Sequence, residues 1–115
     1  MLALLVRFAV PDAVAAARFD ALLAAALPAV REEPGTLLYA PSTVPAEPLV
    51  RVVFAVYADE AAHAVHDRAP GMSAFLAELP ALTTSVRVEE LQPATLIGSP
   101  APLDPAPHRE APPCP

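Results

Sequence analysis

Hydrophobic residues in this chain recur with period two, then 3.6, then two in a pair of runs, then 3.6, then two again. That alternation restricts the fold more than any single motif. Leu2 to Val10 (LALLVRFAV) puts Leu2, Leu4, Val6, Phe8 and Val10 on one parity and Arg7 on the other, the signature of a strand. From Asp12 the spacing changes: Val14, Phe19, Leu22, Leu23, Ala26, Leu27 and Val30 fall on one helical stripe, with Pro28 expected to kink the helix or start a new turn. Glu33-Pro34-Gly35 breaks it, and Thr36 to Ala40 reads as a second strand. Pro41, Pro45 and Pro48 predict a stiff connection to Leu49–Tyr57 (LVRVVFAVY), the clearest strand in the chain. Asp59 is placed to cap a helix from Glu60 to about Arg68. Ala69-Pro70-Gly71 interrupts that helix, Met72 to Leu79 adds another turn or two before Pro80, and Thr83 to Leu91 is again β-rich.

The order βαββαβ is that of a ferredoxin-like α+β domain, a four-stranded antiparallel sheet with its helices on one face. Even-numbered strand residues (Leu4, Val6, Phe8, Val52, Phe54, Val56, Val86, Val88) form an apolar set expected under the helices. The odd set (Leu5, Arg7, Arg51, Val53, Ala55, Tyr57, Ser85, Arg87) is mixed, which suggests that a second subunit covers it and leaves a cavity between two sheets. One domain over residues 1–97 is expected. Beyond it the composition shifts: half of the 16 prolines lie from Pro93 onward, so 98–115 reads as a proline-rich, disordered tail outside the core.

Composition narrows the partners. With a net charge of −6, seven scattered arginines and no lysine, the chain lacks the clustered positive charge that phosphate backbones require, so nucleic acid is excluded as a partner. Charged residues interrupt the apolar stretches, so no membrane span is expected, and Met1 to Val10 has neither a basic leader nor a small-residue cleavage site, which points to the cytoplasm. Cys114 is the only cysteine, leaving no internal disulfide and no cysteine-based zinc site.

No glycine-rich phosphate loop, GxSxG or HExxH motif occurs, and the pairs Glu32-Glu33 and Glu89-Glu90 are neighbours in sequence only. The histidines matter more. His63 and His66 lie three apart on the second helix, but only His66 aligns with the stripe Ala62, Val65 and Ala69, so His63 is read as solvated and no metal site is expected. Tyr57 and Arg51 share the mixed sheet face, where a phenol and a guanidinium could hold a polar aromatic ligand, and Tyr39 is a third candidate.

Three segments then carry a resemblance: Glu33-Pro34-Gly35-Thr36-Leu37-Leu38-Tyr39, the strand ending Val53-Phe54-Ala55-Val56-Tyr57 with Ala58-Asp59-Glu60-Ala61-Ala62 after it, and His66 with Ala69-Pro70. Over about residues 2 to 93 the chain resembles the antibiotic biosynthesis monooxygenase domain family, which includes quinol monooxygenases. The resemblance implies a dimeric α/β barrel and oxidation of quinols, phenols or anthrone-type polycycles by dioxygen with no metal, flavin or haem as cofactor. Glu33, Pro34, Gly35, Tyr39 and His66 match the family's motif. Ala55 stands where the family usually has Glu, and Gly71 where it often has His. The Asn and Trp on which haem-degrading relatives depend occur nowhere in the chain.

The expectation is a homodimeric, cofactor-independent monooxygenase with His66 as the proton-abstracting base and Tyr39, Arg51 and Tyr57 orienting the substrate. The alternative is a non-catalytic dimeric module that binds an aromatic metabolite.

Overall fold

A computed structural model describes residues 1–98, and from residue 99 on the expected tail, with His108 and Cys114, lies outside the described residues. The chain runs β1 (Leu2–Ala9), α1 (Ala13–Arg31), β2 (Thr36–Val44), β3 (Glu47–Tyr57), α2 (Glu60–Arg68), α3 (Pro70–Leu82) and β4 (Ser85–Leu91). Its four strands form one antiparallel sheet in the order β2-β3-β1-β4. This is the ferredoxin-like α+β arrangement, with three helices where two interrupted ones were expected.

Asp12 caps α1 by accepting from the Ala15 backbone N–H at 2.9 Å, so the change of period at that residue is where the helix begins. Pro28 does not break α1, which runs on to Arg31. Burial of Ala26 and Val30 on either side of it outweighs the lost backbone bond. Long and apolar as α1 is, with a mean hydropathy of 1.6 over its best window, it is placed as a core helix, with Phe19, Leu23, Ala26 and Val30 buried. Pro80 is likewise inside α3. Pro70 at the first turn of α3 forces Ala69 into an extended conformation (φ −61°, ψ 142°), which ends α2 and starts α3 at one residue. β2 runs four residues past Ala40 because it is an edge strand, where Pro41 sacrifices no ladder bond of consequence.

Phe8, Phe19 and Phe75 meet edge to face at 5.0, 5.1 and 6.3 Å and centre the core between sheet and helices. The expected assignment of faces fails on β3. In the observed register Leu4 lies opposite Ala55, Val6 opposite Val53 and Phe8 opposite Arg51. Directly opposed residues share a face, so the even residues of β1 lie with the odd residues of β3. Val53, Ala55 and Tyr57 therefore face the helices, and Val52, Phe54 and Val56 lie on the other side. Val86 and Val88 do face the helix side but on the edge strand β4, where they stay 44% and 59% exposed.

Candidate active site

The pocket follows from that register: it lies between the sheet and helices α2 and α3, not on the helix-free face where a cavity was expected. Its volume is about 250 Å3. Leu4, Val6, Val53 and Ala55 line it from the sheet, and Met72, Phe75 and Leu79 from α3. Its polar groups are Tyr39, Tyr57, His63, His66 and Asp67.

His66 is the one buried polar or charged residue of the described chain, 3% exposed. Its Nδ1 lies 2.8 Å from Oε1 of Glu33. An ionised carboxylate can only accept, so Nδ1–H donates to it, and Nε2 is left as the proton-accepting nitrogen. Nε2 has no hydrogen-bond partner among the described residues. The same Oε1 accepts from the Thr36 hydroxyl at 2.7 Å, whereas Oε2 of Glu33 is buried without a partner. Glu33 is thus held at the back of the imidazole, a role that its place in the Glu-Pro-Gly turn did not disclose.

Two local features bring this turn onto α2. Gly35 admits a close approach: a Cβ there would stand 2.5 Å from Cβ of Ala62, and its carbonyl accepts from the Ala58 N–H at 2.9 Å. Asp59 caps α2 through Ala62 N–H at 2.8 Å, as its sequence position predicted. In β2, the pairing with β3 shifts register between Thr36 and Leu38, a bulge that lets Thr36 and Tyr39 share the helix-facing side although three residues separate them.

The rings of Tyr39 and Tyr57 flank His66 at 5.1 and 5.2 Å between centroids. Burial pushes both phenols well above the ordinary tyrosine value. The negative charge of Glu33 adds to the shift at Tyr39, and Tyr39 with Asp67 and Glu33 adds to it at Tyr57. Both phenols are therefore held neutral, as hydrogen-bond donors. His63, expected to be solvated, instead packs against Tyr57 with the rings tilted by 44° and 4.9 Å apart, lines the pocket and lies 3.3 Å from Asp67. Its three-residue spacing from His66 was the available signal. The stripe that singled out His66 is not a buried one, because Val65 is 52% exposed.

Arg51 is not brought to the site. Its Nε and one terminal nitrogen grip Asp20 at 2.8 and 3.0 Å, and it lines a separate cavity beside β2 and α1. Gly71 also falls elsewhere: a Cβ there would meet Cα and Cβ of Ala26 on α1 at 3.1 and 3.3 Å, so a side chain at 71 would point between helices and its absence takes nothing from the pocket. Ala55 does line the pocket, and there the carboxylate usual at this position is missing. Among the described residues no three His, Cys, Asp or Glu side chains are grouped to hold a metal ion.

A ferredoxin-like sheet with an apolar pocket under its helices and a carboxylate-backed histidine in that pocket defines a class of small α+β proteins. The sequence profile of the antibiotic biosynthesis monooxygenase family matches residues 1–78, and the chain belongs to that family. Solved structures agree on the fold. Rv0793 from Mycobacterium tuberculosis is 26% identical, with a TM-score of 0.74 over 84% of this chain and 98% of that one. A candidate antibiotic biosynthesis monooxygenase from Deinococcus radiodurans is 23% identical, with a TM-score of 0.72 over 85% and 97% of the two chains. PA3566 from Pseudomonas aeruginosa is 21% identical, with a TM-score of 0.72 over 82% and 94%. No curated protein matches the chain.

Proposed function

We propose that the chain is a monooxygenase that oxidises a quinol, phenol or anthrone-type aromatic with dioxygen, the substrate supplying the electrons. The observation that carries this reading is the buried His66, fixed by Glu33 and flanked by two neutral phenols in an apolar pocket. His66 Nε2 takes the substrate's acidic proton. The resulting anion is held by the imidazolium and by hydrogen bonds donated from Tyr39 and Tyr57, in a site where few waters compete. One electron passes from the anion to dioxygen, and the two radicals combine to form a C–O bond to a ring carbon as a peroxide. His66 returns its proton to the outer oxygen, the O–O bond breaks, and the ring carbon loses its hydrogen. The product has gained one oxygen atom and lost two hydrogens, which leave with the second oxygen as water.

The subunit pairing belongs to the same reading. All three helices occupy one face of the sheet, and the other presents Leu5, Leu38, Val52 and Phe54 half-buried. An apolar patch of this kind, flanked by Arg7, Arg87 and Glu89, suits a second copy related by a two-fold axis.

Oxygen consumption on a panel of quinols, phenols and anthrones tests the activity. Enzyme-dependent uptake that falls about 10²–10⁴-fold in His66→Ala, the range expected for loss of a general base, supports it. Uptake unaffected by that substitution contradicts it.

A further inference from the structure

We infer that the pocket, on the oxidation reading above, takes an uncharged hydroxyaromatic, and that Asp67 is the residue that turns anionic substrates away. The chain contains no lysine, and among the described residues no arginine lines the cavity. Arg51, the cation that sequence parity had placed beside Tyr57, is bound in a fork to Asp20 and lines a different cavity. The acidic groups of the site are two carboxylates: Glu33 behind the imidazole, and Asp67 in the lining, beside His63.

Charge balance follows from that set. A neutral phenol that hands its proton to His66 creates its own counter-ion, because the phenolate and the imidazolium form together and the pocket's net charge is unchanged. A substrate that carries an additional carboxylate, sulfonate or phosphate meets no lysine or arginine among the described lining residues, and the second imidazole there, His63, is already placed 3.3 Å from Asp67. Its charge would be partly desolvated against apolar side chains and would face the like charge of Asp67, whose side chain lies at the pocket's open edge, 42% exposed. The phenols of Tyr39 and Tyr57 donate one hydrogen bond each and serve a hydroxyl or its anion, but they do not neutralise a second charge.

Binding is measured without oxygen, by calorimetry, for 1,4-dihydroxynaphthalene and for the same diol bearing a 2-carboxylate. The neutral diol is expected to bind at least about tenfold tighter, and Asp67→Asn to narrow that ratio by improving the acid alone. Ala55→Leu, which fills part of the lining, is expected to weaken the neutral diol and so tie the signal to this cavity. Equal or tighter binding of the acid overturns the inference and leaves the oxidation reading standing. A ratio unchanged in Asp67→Asn overturns the role given to that residue. Binding of neither diol overturns both.

Discussion

Tyr39 and Tyr57 are the only tyrosines in the chain, so phenolate absorbance reports on the pocket alone. Both are raised above the ordinary value of about 10. Between that value and the folded-state value the unfolded chain has lost protons that the folded chain keeps, so stability falls as pH rises. Their contribution is complete below pH ~10 and is lost progressively above it. Alkaline titration should therefore show no phenolate signal until the protein unfolds, and replacing both tyrosines by Phe should flatten the alkaline loss of stability; two free phenols ionising near pH 10 in the folded state would contradict their burial. At the base itself, Glu33→Gln is expected to lower kcat at least about tenfold with little change in KM, because an amide no longer fixes which imidazole nitrogen carries the hydrogen. Steady-state oxygen uptake checks this. Equal losses in kcat/KM and in substrate affinity would instead mark Glu33 as a binding residue.

At the scale of elements, the contact that assembles the site is Gly35 against Ala62. Gly35→Ala should cost about 1–3 kcal/mol by overpacking, and Ala62→Gly in the same chain should recover part of that despite glycine's low helix propensity. Denaturant melts of the single and double variants measure both. What could be read from sequence at this level divides along physical lines. Asp12 and Asp59 announced their helices because capping is local chemistry between a side chain and the next turn. Pro28 and Pro80 misled because the buried neighbours that hold their helices together are placed by tertiary packing, and Pro41 because an edge position is a property of the whole sheet. The parity of β3 was not legible, since which of its faces meets the helices depends on its register against β1. The bulge between Thr36 and Leu38, which aims Tyr39 at His66, left no mark in the hydrophobic pattern.

For the whole molecule, the strand-helix order was enough to give the fold, and His66, Tyr39 and Tyr57 do converge. The cavity that these residues line lies under the helices, where the parity argument did not place it. Arg51 does share a face with Tyr57, but it lies six residues away along β3 and is held by Asp20, while the contacts that join Glu33 and His63 to the site run through space and left no mark in the pattern. The helix-free face retains the other half of the expectation. Phe54 lies at its centre, opposite Leu5 on β1 and Ala40 on β2, so Phe54→Glu should convert a dimer to a monomer in sedimentation analysis. A parent that sediments as a monomer at every concentration would contradict that pairing. The most direct test of the chemistry is the fate of molecular oxygen. Turnover of a neutral quinol or phenol under ¹⁸O₂ should give a product carrying one labelled atom, with the label dependent on His66. A product oxidised without gaining label, or labelled equally by His66→Ala, would contradict oxygen transfer at this site.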